Sequence, residues 1–139
     1  MKKQLCPICE SGFLHSEYEL TEVEHQGIKG TIKSYYSVCD GCGCEQANAT
    51  DARQNKRAMI AFKKQVQGLL TGAEVRKLRK QWQLNQREAA RVFGGGPVAF
   101  SKYEADDVMQ SDAMDKLLRL AAEIPAVMER LKSLSGQAF

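Results

Sequence analysis

Two Cys-x-x-Cys pairs, Cys6-Pro7-Ile8-Cys9 and Cys39-Asp40-Gly41-Cys42, stand 29 residues apart near the start of this 139-residue chain. Each short turn can present two thiolates to one ion, and two turns complete a tetrahedral shell. Thiolate softness selects zinc over magnesium or calcium. With four protein ligands the shell is closed, so Cys6, Cys9, Cys39 and Cys42 are expected to hold one structural Zn2+ with no open position for catalysis. An iron–sulfur or redox-dithiol use of the same cysteines is the competing reading. The fifth cysteine, Cys44, could replace Cys42, but the tighter spacing from Cys39 favours Cys42, and Cys44 is expected to be an unligated thiol. His15 and His25 are unnecessary as ligands and read as surface or strand residues. An odd cysteine count argues against a secreted disulfide framework and for a reducing compartment.

The 29 intervening residues suit an antiparallel excursion that returns to the metal. Ile28, Ile32, Tyr36 and Val38 keep one parity, with Gly30 a gap, while Lys29, Thr31, Lys33, Tyr35 and Ser37 keep the other. That period of two predicts a half-buried strand running into the second cysteine pair. Tyr18, Leu20 and Val23 suggest an earlier strand, and Glu24-His25-Gln26-Gly27 a turn between the two. So few large apolar residues cannot build a strong core in about 50 residues. Zinc must help, since it supplies about 10–16 kcal/mol of apparent binding energy to small structural sites.

Charge divides the chain further. Residues 1–50 carry four basic and seven acidic side chains, residues 51–91 eleven and three, and residues 92–139 five and seven. A strongly basic middle between two acidic ends points to a polyanion as partner. Much of it lies on a predicted helix over residues 51–67. Arg53, Lys56, Arg57, Lys63 and Lys64 fall within about a third of its circumference, and Ala58, Met59, Phe62 and Val66 lie opposite.

From Thr71 onward every signal is helical. Thr71 with Glu74 and Asn85 with Glu88 form capping boxes. The second opens a helix carrying Ala89, Ala90, Val92 and Phe93, which Gly94-Gly95-Gly96 stops. Pro97 suits the first position of a third helix running to about Asp106. Ser111 can cap a fourth and Pro125 can open a fifth. The expected architecture is α+β in two domains, with a small zinc-binding β domain over 1–50, a basic linker helix over 51–70 and an all-α domain over 71–139.

The segment from Asn85 through the glycines into the helix after Pro97 is a helix-turn-helix candidate, whose second helix would enter the major groove. Val98, Ser101 and Lys102 share its exposed face. Lys102 can reach guanine or a phosphate, Ser101 is a tolerant hydrogen bonder, and Val98 can pack on a thymine methyl. Candidate phosphate contacts are Arg53, Arg57, Lys63, Lys64, Arg87 and Arg91. One recognition helix reads only a half-site, so a homodimer is expected. The apolar stripes of the last two helices, with Leu117, Leu118, Val127 and Leu131, are the dimer candidates.

The run from Gln83 to Glu104 resembles the helix-turn-helix of the MqsA antitoxin family, the YgiT-type zinc-finger proteins. The triple glycine followed by Ala99-Phe100-Ser101-Lys102-Tyr103-Glu104 carries the likeness, and the CPxC and later CxxC match in the same order. The resemblance implies a type II antitoxin. Its N-terminal zinc domain would grip a small ribonuclease toxin. Its C-terminal domain, of XRE/Cro type, would dimerise and repress the operon at a palindromic double-stranded DNA operator. The family's zinc ligands map onto Cys6, Cys9, Cys39 and Cys42, and its base-reading Asn and Arg onto Val98 and Lys102. Valine cannot make the bidentate adenine contact of Asn, and lysine replaces the arginine fork with a point charge, so the operator should differ from the family pattern. Asp106, where related domains often carry glycine, is a second departure.

Other function classes fare less well. A stand-alone regulator without a toxin differs from an antitoxin only in its neighbouring gene. A thiol oxidoreductase would need reactive thiols rather than bound zinc. A zinc-ribbon RNA binder leaves the helix-turn-helix unexplained. No paired carboxylates or Ser/His/Asp arrangement suggest an enzyme, and the length disfavours a large α/β one. No stretch approaches the roughly 20 apolar residues of a membrane helix, and no signal peptide opens the chain. A cytoplasmic location is therefore expected.

Overall fold

A computed structural model describes residues 3–136. The chain forms an α+β protein in two units, residues 1–62 and 63–139. The first is a four-stranded antiparallel sheet in the order β1-β2-β3-β4, built from Gln4–Leu5, Phe13–His25, Ile28–Cys39 and Glu45–Gln46. The second contains helices α2 (Gly72–Gln81), α3 (Gln86–Phe93), α4 (Ala99–Glu104), α5 (Asp112–Glu123) and α6 (Pro125–Leu134). Helix α1 (Ala49–Gln67), which overlaps the linker helix expected over residues 51–70, is continuous across the division. No helix among the described residues is long and apolar enough to cross a membrane.

The hairpin of β2 and β3 runs in unbroken register from Leu14 opposite Cys39 to His25 opposite Ile28. The turn is only Gln26-Gly27, both at positive φ (51° and 79°), which suits the right-handed twist of the flanking strands. Glu24 and His25, expected in the turn, instead pair with Lys29 and Ile28. The gap at Gly30 has a structural use: the Phe62 ring of α1 lies where a Cβ would stand. Among the described residues of this unit, the buried apolar side chains are only Cys6 and Cys39. The strands place the cysteines, but a hydrophobic core does not hold the strands.

Polar contacts seat α1 on the sheet. Asn48 accepts from the Asp51 amide (2.7 Å), Asp51 accepts from the Asn48 amide (3.1 Å), and the Ser37 hydroxyl donates to Asp51 (2.6 Å). This reciprocal cap satisfies helix-end amides that would otherwise be orphaned.

The helical unit has the core that the sheet lacks. Val75, Leu84, Ala89, Val92, Phe93, Phe100, Leu118, Ala121 and Met128 are buried together. Trp82, Phe93, Phe100 and Tyr103 stack in sequence with ring centroids 5.1–5.7 Å apart. Both expected capping boxes form, at Thr71 with Glu74 and at Asn85 with Glu88, and Ser111 caps α5. Pro125 opens α6. Two expectations fail here. Pro97 does not begin a helix: Gly94, Gly95 and Gly96 all take positive φ, and regular helix resumes only at Ala99, leaving Val98 as its N-cap. Leu118 is fully buried among its own unit's helices, so it packs the core and is not available to a second chain.

Candidate functional site

The metal centre grows from two backbone knuckles. After β1, the Ile8 amide donates to Cys6 Sγ and the Gly12 amide to Cys9 Sγ (3.4 and 3.3 Å). After β3, the Gly41 and Cys42 amides donate to Cys39 Sγ (3.3 and 3.4 Å). The knuckles abut so closely that a Cβ on Gly12 would lie 2.5 Å from Cys39 Sγ and 2.6 Å from the Gly41 nitrogen. Only glycine permits that approach. Asp40 fixes the second knuckle by accepting from the Phe13 amide (2.8 Å) and pairing with His15 Nε2 (2.9 Å).

The sulfurs of Cys6, Cys9, Cys39 and Cys42 all lie within 4.8 Å of one another. Cys6 to Cys42 is 3.9 Å and Cys9 to Cys39 is 3.5 Å. Zinc–sulfur bonds of about 2.3 Å in a tetrahedron require sulfur–sulfur edges of about 3.8 Å. The donor set therefore fits one structural zinc ion, as expected. The thiols also conflict without a cation. The Gly12 amide, helped by Ser11, pulls the Cys9 thiol down to about 5. At Cys39 the Cys42 amide pulls the same way, but burial and the neighbouring Cys9 and Cys42 sulfurs outweigh it and leave the thiol near 11. A dication resolves such crowding by deprotonating every ligand outright. When bound, zinc supplies cross-linking of the two knuckles and no open coordination position.

In the helical unit, the α3–α4 connection presents Val98 (56 % exposed) at the surface, and α4 itself presents Ser101 and Lys102 there. Arg87, Ala90, Arg91, Gly96 and Pro97 line an open concavity beside it. Helix α4 is short and held from behind. Arg79 makes a bidentate pair with Glu104 at 2.8 and 2.9 Å and donates to the Leu84 carbonyl (2.9 Å). Lys64 was expected on DNA phosphate, but its side chain is fully buried. Its ammonium donates to the Tyr103 carbonyl (2.9 Å) and to Asp106 Oδ1 (2.8 Å). An ammonium so enclosed cannot reach a phosphate, and its role is to secure the end of α4. The same contact explains Asp106, which takes the left-handed conformation (φ 59°) that glycine would favour and adds a carboxylate for Lys64. Of the other phosphate candidates, Arg53, Arg87 and Arg91 are exposed and Arg57 and Lys63 half-buried. Leu117, Val127 and Leu131 are half-buried against the core.

Sequence reasoning missed several of these residues. The Asn48–Asp51 cap carried a readable N-x-x-D signal. The side chains of Arg79, Asp40 and Gln46, which lies 3.1 Å from Cys44 and 3.5 Å from Cys6, carried none.

A closed four-cysteine centre on a β hairpin, joined by one helix to an all-helical unit, defines a zinc-stabilised modular protein. The family described as the antitoxin component of bacterial toxin-antitoxin systems, MqsA, matches residues 2–132, and this chain belongs to it. Antitoxin MqsA of Escherichia coli (strain K12) is 28% identical over 129 residues, covering 91% of this chain and 98% of that protein.

Proposed function

We propose that this antitoxin neutralises a small ribonuclease toxin through its zinc-bearing unit and represses its own operon through its helical unit, as a homodimer on a palindromic operator. The observation that carries the DNA half is the seating of α4. Arg79–Glu104 and Lys64–Asp106 lock the short helix from inside while Ser101 and Lys102 stay outward. A rigid, locked helix is what base reading requires, because a side chain misplaced by about 1 Å loses its hydrogen bonds. Lys102 and Ser101 are the base contacts, and Val98 packs on a thymine methyl. Phosphates are met by Arg53, Arg57, Lys63, Arg87 and Arg91, each adding roughly one unit of salt slope. Leu117, Val127 and Leu131 are the dimer contacts, where half-buried apolar surface remains on α5 and α6. The zinc unit acts as a binding scaffold rather than an enzyme, since its metal shell is closed. Cysteines committed to a metal rather than to disulfides suit the reducing cytoplasm.

The test is fluorescence anisotropy with duplex DNA from upstream of the chain's own gene. Lys102→Ala should weaken binding by about tenfold, in line with roughly 1–3 kcal/mol per base contact, with zinc content unchanged. Equal affinity for both proteins would overturn the assignment of α4.

A further inference from the structure

The four-cysteine centre leaves one thiol over, and its position is not incidental. Cys44 Sγ lies 3.8 Å from Cys6 Sγ, which is the edge length of a zinc–sulfur tetrahedron, and Cys42 Sγ lies 3.9 Å from the same atom. Cys42 and Cys44 are themselves only 3.1 Å apart. That is well short of the edge of about 3.8 Å, so the two sulfurs cannot occupy two vertices of one shell. They are alternatives for a single vertex. Cys42 meets the other three ligands at once, and Cys44 stands outside that set of four. Cys44 is nevertheless built into the site. The Cys39 amide donates to its carbonyl (3.1 Å), and Gln46 Nε2 reaches both its sulfur and that of Cys6. Cys42 is exposed and Cys44 half-buried. Gly43 between them takes positive φ (73°) with open space around it, a pivot about which the two thiols can trade places.

We propose that Cys44 is a fifth zinc thiolate that shares the fourth coordination position with Cys42. Zinc is held at all times by Cys6, Cys9 and Cys39, and completed by whichever of the other two is engaged. The exchange neither makes nor consumes an oxidant: one zinc–sulfur bond forms as another breaks, and the proton leaves the incoming thiol for the outgoing one. The proposal stands on the metal centre alone and is independent of the toxin and DNA assignments.

Cobalt(II) titration of the full chain tests it, because sulfur-to-cobalt charge transfer grows with the number of bound thiolates. Cys42→Ser and Cys44→Ser should each bind one cobalt with the four-thiolate intensity of the unsubstituted protein. The double variant should fall to three-thiolate intensity and bind at least about tenfold more weakly. A three-thiolate spectrum for Cys42→Ser alone would overturn the proposal. A measurement on the unsubstituted zinc-loaded chain does not depend on any variant folding. N-ethylmaleimide followed by peptide mass spectrometry should find the label divided between Cys42 and Cys44. Label confined to either one of them would overturn the sharing.

Discussion

Replacing Asp106 by alanine should be among the most damaging single changes in the helical unit, although the side chain is partly at the surface. Lys64 is fully enclosed, and its ammonium has Asp106 Oδ1 at 2.8 Å and the Tyr103 carbonyl at 2.9 Å. At an effective dielectric of 20, the Coulomb attraction at that distance is about 6 kcal/mol, most of it offset by desolvation. What matters is the state left behind. Removing one partner of a buried pair costs about 3–5 kcal/mol because the other charge stays enclosed. Asp106 is 24 % exposed, so water can enter its place, and the low end of about 3 kcal/mol applies. Alanine must also take φ 59°, which adds about 1 kcal/mol. Asp106→Ala should therefore cost about 4 kcal/mol. Asp106→Asn, which tolerates that φ and keeps an acceptor oxygen, should cost about half as much. Lys64→Met combined with Asp106→Gly removes the charge and the strain together, and should return to within about 1 kcal/mol of the parent. Urea unfolding followed by Trp82 fluorescence measures this in the right place. Trp82 is the sole tryptophan and packs on Phe93 inside the helical core. A cost below about 1 kcal/mol for Asp106→Ala would mean the ammonium escapes to water, and the reasoning would fail.

The metal site gives the next expectation: Cys9→Ser should lose the zinc and unfold the β unit while leaving the Trp82 signal intact. Atomic emission and proton–nitrogen correlation spectra would check it, and an undisturbed β unit would argue against a structural metal. Acid should weaken the helical unit through Asp115. Burial pushes its carboxyl up, but the Leu70 amide, Arg119 and Gln110 outweigh that and hold it below its ordinary value. A depressed folded value contributes stability above about pH 4, lost as pH falls through the folded value, so Asp115→Asn should flatten the acid limb of a urea-midpoint titration. An unchanged limb would remove Asp115 from the account. Gly30→Val should drive a side chain into the Phe62 ring and cost about 1–3 kcal/mol, seen as faster zinc release to a chromogenic chelator. Release at the parent rate would mean the ring moves aside freely.

The metal ligands, the strand over residues 28–38, both capping boxes and the glycine stop were legible because each depends on neighbours in sequence. The backbone dictates those features locally, through thiol spacing, period-two alternation or a side chain folding back on its own amide. The fates of Lys64 and Leu118 were not. Lys64 lies on the basic arc of an ideal α1 helix, yet the structure buries it, because the carboxylate that receives it arrives 42 residues later from Asp106. Leu118 reads as one more apolar position on an amphipathic stripe, and only the packing of several helices shows that this one faces inward. Cys44 belongs with them. Its spacing suggested a bystander, and its distances to Cys6 and Cys42 are set by where β4 returns to the sheet.

Neutralisation of a partner is the center of the functional account, and affinity capture of the full-length chain from its native host tests it most directly. The account predicts a small ribonuclease, encoded beside the antitoxin, recovered in stoichiometric amount and held by a Lys102→Ala variant as firmly as by the parent. Recovery of operator DNA with no protein partner would contradict it, and would leave a zinc-stabilised transcriptional regulator in place of a toxin-neutralising protein.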